Sequence, residues 1–278
     1  MDVLVRYIGP EETGDGSARL TLDSPHNRNA LSSRLVAQLH AGLRDAAADP
    51  NVRVVVLGHT GNTFCAGADL SEVSGGDPGG SARLDGGEVK LGPPREPSDL
   101  AADRAREMAA LMRAIVESPR PVIAAVDGHV RAGGMGLVGA CDLAVAGPAS
   151  TFALTEARIG VAPSIISLTL LPKLAPRAAA RYYLTGERFG AAEAAEIGLI
   201  TLAAEDIDAA VAGLVADLRL GSPQGLAASK ALTTAAVLAG FDRDAERLSV
   251  ASARMFVSEE AREGMLAFLQ KRPPGWAG

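Results

Sequence analysis

Cysteine is almost missing from this chain: Cys65 and Cys141 are the only two in 278 residues, and they lie far apart. That count supplies no disulfide framework and no thiolate cluster for a metal, so both read as small buried thiols. Histidine is equally sparse. His26, His40, His59 and His129 are scattered, without the close spacing that a zinc site needs. Aromatic residues make up only 4% of a chain that is 47% hydrophobic, so the core must be built from Ala, Val, Leu and Ile. Basic runs are absent too, and 27 Lys and Arg against 33 Asp and Glu leave a net charge of −6. A nucleic-acid partner is therefore not expected. No apolar run approaches the ~20 residues needed to span a bilayer, and the start of the chain carries no basic stretch followed by an apolar one. The reading is a cytoplasmic protein without a membrane partner.

What is present reads as one α/β domain with helical C-terminal packing. Ala18 to Leu22 alternates as a strand, and Ser32 caps a helix in which Leu35, Leu39 and Leu43 recur at helical spacing. Val52 to Leu57 and Pro121 to Gly128 are continuous apolar runs, the signature of strands covered on both faces. A short strand follows at Leu143 to Ala146. Between them, Ser74 to Ser98 holds seven glycines and four prolines without periodicity, which predicts a long mobile loop. A helix is expected from about Leu100 to Val116, further helices around Ile165 to Leu174 and Ala178 to Leu184, and capped helices after Ser222 and Ser258. The division expected is a core over residues 1–205 and a helical, oligomerising region over 206–278.

Two glycine-bearing segments follow the buried strands: Phe64-Cys65-Ala66-Gly67-Ala68-Asp69 and Arg131-Ala132-Gly133-Gly134-Met135-Gly136. Ligands of open α/β sheets bind past strand ends, and small residues let a ligand approach the backbone. The Ala68 and Gly133 amides would then meet at one sheet edge, where a thioester oxygen accepts both hydrogen bonds. Taken alone, Ala66-Gly67-Ala68 also reads as an ordinary strand-to-helix turn, and the glycines from Gly133 on also read as packing. Gly134 to Gly139 formally matches Gly-x-Gly-x-x-Gly, but Asp142 and the next strand follow too soon for the helix of a dinucleotide fold. The third element is Glu156. Most glutamates are solvated, yet this one sits between Phe152-Ala153-Leu154 and Ile159-Gly160-Val161-Ala162, a frame that raises a carboxyl pKa towards neutrality. Two amide donors and one carboxylate are the minimum set for forming and quenching an enolate.

The order of motifs resembles the crotonase (enoyl-CoA hydratase/isomerase) superfamily. It is carried by His26 to Leu31, Phe64 to Leu70, Pro121 to Gly128, Ala140 to Ala146, Leu184 to Glu187, Ala194 to Ile200 and Glu263 to Arg272. The resemblance implies a spiral of ββα units with a helical C-terminal trimerisation region, trimers pairing into hexamers, and an acyl-CoA substrate with no separate cofactor or metal. It assigns oxyanion-hole amides to Ala68 and Gly133 and an acid/base role to Glu156. Around the substrate and its CoA it places Arg28, Ala66, Gly67, Asp69, Leu70 and Gly134, with Phe268 and Lys271 reaching the CoA of a neighbouring subunit. One departure stands out. Typical hydratases of the family carry a second glutamate where this chain has Gly136. The expectation is an enoyl-CoA hydratase adding water to a 2-enoyl-CoA, with a single-acid Δ3,Δ2-enoyl-CoA isomerase and a non-catalytic acyl-CoA binder as rivals. The 74–98 loop is expected to shape the acyl pocket.

Overall fold

The structure is a computed structural model, and it describes residues 2–69 and 96–278. Leu70 and residues 74–95 of the expected loop lie outside the described residues. The chain opens with β1 (Val5–Ile8), a short helix α1 (Pro10–Thr13) and β2 (Ser17–Leu22). Helix α2 (Ser33–Ala48) follows, and the expected cap is in place: the Ser32 hydroxyl accepts the Leu35 N–H at 3.3 Å. Then come β3 (Val54–His59) and β4 (Thr63–Cys65).

Helix α3 (Pro97–Glu117) begins earlier than its periodicity suggested. Pro97 and Ser98, expected as loop, form its first turn, because a first-turn proline costs no hydrogen bond and its fixed φ suits the helix. Beyond it lie β5 (Val122–Val126), β6 (His129–Arg131), α4 (Gly133–Ala140), β7 (Leu143–Ala146) and β8 (Thr151–Ala153). A 3₁₀ turn at Glu156–Ile159 precedes α5 (Ser167–Leu170) and α6 (Pro176–Thr185). Only one turn of the expected 165–174 helix is α-helical, and Pro172 cannot supply the N–H that a continuing helix needs. After β9 (Phe189–Gly190), α7 (Ala191–Glu196) and β10 (Leu202–Ala203), three helices close the chain: α8 (Ile207–Arg219), α9 (Pro223–Phe256) and α10 (Glu259–Leu269).

The strands form two sheets. The larger has the order β1-β2-β3-β5-β7-β10, parallel except for β1 against β2, and the smaller has the order β4-β6-β8-β9. Consecutive strands alternate between them: β3 to β4, β5 to β6, β7 to β8. Each pair and its helix is one turn of a spiral, which is the ββα arrangement expected. The apolar runs of β3, β5 and β7 are explained by their two covered faces. Leu57, Ala124 and Ala146 belong to the main core, whereas Val54, Val56, Ile123 and Val145 pack under Val211 and Val215 of α8.

Helix α9 lies against α3 and is pinned by a buried lysine. Lys230 Nζ donates to the Ile115 and Arg120 carbonyls at 2.9 and 3.0 Å and pairs with Asp142 at 2.7 Å. Leaving that charge without partners would cost several kcal/mol, so the contact fixes the register of α9. Both cysteines are buried, and burial pushes each thiol up to about 12.

Candidate active site

Strands β4, β6 and β8 lie side by side and parallel, with Cys65 opposite Val130 and Arg131 opposite Ala153. Their C-terminal ends therefore open on one edge of the small sheet. Ala68 comes three residues after β4, Gly133 two after β6, and Glu156 three after β8. The three expected residues thus leave one sheet edge on adjacent strands. The strands that deliver them are the three-residue strands of the second sheet, rather than the long apolar runs, which end one turn earlier.

The two glycine turns touch. A Cβ on Gly67 would lie 2.6 Å from Ala132 Cβ and 3.4 Å from the Gly133 nitrogen, and Gly67 has φ +98°. A Cβ on Gly133 would meet Leu31 Cδ1 at 2.8 Å and Gly67 Cα at 3.6 Å. Ala132, with φ +45° and ψ −119°, is held in a conformation that L-residues avoid, and it aims the first amides of α4 out of the strand line. Gly134 presses on β4, since a Cβ there would sit 2.8 Å from the Cys65 carbonyl oxygen. Neither the Ala68 N–H nor the Gly133 N–H donates to an acceptor among the described residues. Two neighbouring free amides, that of Gly133 at the first position of α4 and that of Ala68 just past β4, suit a developing oxyanion.

The His26–Leu31 loop is laced to the first turn. Leu31 N–H donates to the Gly67 carbonyl at 2.8 Å, Asp69 N–H to Leu31 at 3.4 Å, and Ala66 N–H to Arg28 at 3.1 Å. Asn27 Nδ2 reaches Asp69 Oδ2 at 3.2 Å. Asn29, fully buried, organises the loop through the Ser24 N–H and the Thr60 and Thr63 carbonyls at 2.7, 3.1 and 2.7 Å. Its importance was not expected from the sequence, although Asn is among the residues that best tolerate the φ of +53° found there. Arg28 and Ala68 are both exposed. The structure thus brings Arg28, Ala66, Gly67, Ala68, Asp69, Gly133 and Gly134 together.

Glu156 is 8% exposed, and its Oε2 is buried with no hydrogen-bond partner among the described residues. Burial raises its pKa to about 7, against a small opposing pull from its own backbone N–H. A carboxyl poised there can take and return a proton near neutral pH. Its turn is backed by α10: a Cβ on Gly160 would lie 2.6 Å from the Glu260 carbonyl, and one on Gly264 would lie 2.5 Å from the Ile159 carbonyl. Phe268 and Lys271, by contrast, are exposed at the outer end of α10.

The Gly136 position is closed. A Cβ there would stand 2.6 Å from both Ile166 Cγ2 and Met112 Sδ, and Thr169 Oγ1 holds the Gly136 carbonyl at 3.1 Å. Apolar groups fill the place of the second family glutamate. Among the described residues no His, Cys, Asp and Glu cluster can hold a metal ion, and no helix is long and apolar enough to cross a membrane.

A two-sheet ββα spiral closed by C-terminal helices is the fold of the crotonase class of acyl-CoA enzymes. The family model described as enoyl-CoA hydratase/isomerase matches residues 17–272, and the chain belongs to that family. A solved enoyl-CoA hydratase from Mycobacterium avium is 70% identical, covering 99% of this chain and 100% of its own, with a TM-score of 0.88. Another, from Mycobacterium avium subsp. paratuberculosis K-10, is 26% identical at TM-score 0.80, covering 99% of each. The 2,3-dehydroadipyl-CoA hydratase of Escherichia coli K12 is 30% identical over 266 residues, 93% of this chain and 94% of its own.

Proposed function

We propose that this enzyme hydrates a 2-enoyl-CoA through a thioester enolate, with Ala68 and Gly133 as the oxyanion donors and Glu156 as the sole acid/base. The observation that carries this reading is the buried Glu156 carboxyl, its Oε2 without a partner among the described residues, at the same sheet edge as two free amides. As water oxygen bonds to C3, the C2–C3 π electrons move to the thioester oxygen and a water proton passes to Glu156. The enolate then collapses and Glu156 returns that proton to C2, so the addition balances with one carboxyl. The names of the relatives above support hydration.

A second reading, Δ3,Δ2-enoyl-CoA isomerisation, is favoured by the packing at Gly136. There Glu156 takes a proton from C2 of a 3-enoyl-CoA and returns it to C4, and no water is held. Supplying 2-enoyl-CoA and 3-enoyl-CoA to the wild type and to Glu156→Gln separates the two. Hydration of the first substrate is expected, and its loss in Glu156→Gln. Double-bond migration without hydration would favour the isomerase, and turnover indifferent to Glu156→Gln would sink the site.

The remaining assignments belong to the same proposal. Arg28, Ala66, Gly67, Asp69, Leu70 and Gly134 border the substrate, with Leu70 outside the described residues. Residues 206–278 form the oligomerising part beside the 1–205 core, as a trimer or a pair of trimers. Exposed Phe268 and Leu269, 63% and 65%, support that role for α10. Phe268 and Lys271 then meet the CoA of a neighbouring copy.

A further inference from the structure

If Glu156 works alone and the Gly136 position is filled by hydrocarbon, hydration still needs a group to hold the water. Besides Glu156 Oε2, three side-chain polar atoms are buried without a partner among the described residues, Arg53 Nη1, Arg120 Nε and the Tyr183 hydroxyl, and the Tyr183 hydroxyl lies on the helix that ends against the Glu156 segment. The Tyr183 hydroxyl oxygen is buried without a hydrogen-bond partner among the described residues, the same condition as Glu156 Oε2. The two feel each other, since Tyr183 is raised above its ordinary value first by burial and then by the Glu156 charge. Leaving a polar group unpaired in the interior costs roughly 1–3 kcal/mol, so two such atoms in one neighbourhood call for a shared partner.

The backbone brings the end of α6 against the Glu156 segment. Tyr183 lies in the last turn of α6, and Arg158, two residues after Glu156, donates Nε and Nη2 to the Thr185 carbonyl at 2.9 and 2.7 Å. Gly186, at φ +61°, closes α6 so tightly on the Glu156 segment that a Cβ would lie 3.0 Å from the Leu154 carbonyl. The neighbouring Tyr182 points elsewhere, into the core beside Phe189, with its hydroxyl on Glu193 at 2.6 Å. Charged groups on the packed elements are engaged, Arg158 with Thr185, Arg181 with Glu187 and Glu193 with Tyr182, while Glu260 of α10 meets Gly160 through its backbone.

We propose that the Tyr183 hydroxyl is the second polar group of this site and, with Glu156 Oε2, positions the water that adds to C3. The inference rests on the hydration reading above. Tyr183 is a positioning residue: its neutral phenol donates to the water oxygen while the water donates to Glu156. No proton leaves the phenol.

The test is Tyr183→Phe, which removes one oxygen. Hydration kcat should fall about 10- to 100-fold, the loss of one hydrogen bond beside a charge, with KM little changed. The pH midpoint for hydration should rise, because the water that donates to the carboxylate loses the group that holds it. Glu156-dependent exchange of the C2 protons of a saturated acyl-CoA in D2O, which adds no water at C3, should persist. Wild-type hydration with an unmoved midpoint overturns the proposal, and so does an equal loss of hydration and exchange. Should Tyr183→Phe and Tyr183→Met both fail to fold, the hydroxyl is structural and the proposal falls. A wild type that isomerises without hydrating defeats the underlying reading instead, a result visible before any variant is made.

Discussion

Ile166 occupies the space that a side chain at residue 136 would need: its Cγ2 would lie 2.6 Å from a Cβ on Gly136, and Met112 Sδ is as close. Gly136→Ala is accordingly expected to destabilise the fold by about 1–3 kcal/mol, the usual cost of overpacking a core. Urea unfolding checks it. Ile166→Ala should relieve part of that strain, so the double variant should be more stable than the sum of the single effects predicts. Additive effects would mean that the two positions do not compete for the same volume.

The pH dependence of turnover should report Glu156. In either reaction the carboxylate form starts the cycle, and its pKa stands near 7. kcat/KM should therefore fall as pH drops through about 7, along a limb of unit slope that is missing from the residual activity of Glu156→Gln. That variant should lose about 10²- to 10⁴-fold in turnover while still binding acyl-CoA, as calorimetry would show.

The same carboxyl should leave a mark on stability. Its folded pKa lies above the ordinary 4.5, so the folded state holds the proton more tightly than the unfolded chain does. Its contribution is full below pH 4.5 and is lost as pH rises to about 7, a span worth about 3 kcal/mol. Measured as the difference between wild type and Glu156→Gln, stability should favour the variant at pH 8 relative to pH 4. A difference that does not change with pH would place the carboxyl in water.

Gly67→Ala should damage site and fold together. The residue has φ +98°, and its added Cβ would lie 2.6 Å from Ala132 Cβ, the residue that aims the Gly133 amide. A cost of about 1–3 kcal/mol is expected from the backbone conformation alone. Displacing one oxyanion donor should lower kcat about 10²- to 10³-fold, a loss read by steady-state kinetics on protein shown to be folded by circular dichroism.

Much of this architecture was legible in the residues. Ser32, Ser222 and Ser258 announce their helices by a mechanism that acts within one turn, and each side chain accepts the expected N–H. The runs at Val54 and Val122 read correctly as doubly covered strands because they are short, apolar, rich in β-branched residues and bounded by proline or glycine. Strands β4, β6 and β8 were not legible: three residues are too few for a period of two to register. Yet these strands carry the site. The apolar frame of Glu156 signals the burial that the structure shows, and the small residues around Ala68 and Gly133 signal turns that touch. Tyr183, Ile166 and Met112 gave no signal, because a tyrosine beside Tyr182 in a helix reads as packing, and what fills the space at Gly136 depends on contacts between residues 24 to 30 positions apart.

The backbone contacts of Gly160 with Glu260 and of Gly264 with Ile159 bear on how experiments on the C-terminus are interpreted. The turn that carries Glu156 is clamped by the last helix of its own chain. Removing residues 259–278 should therefore abolish activity even where subunit association survives. An inactive truncation is then no evidence that catalysis is shared between subunits; mixing two differently inactivated full-length chains would show that.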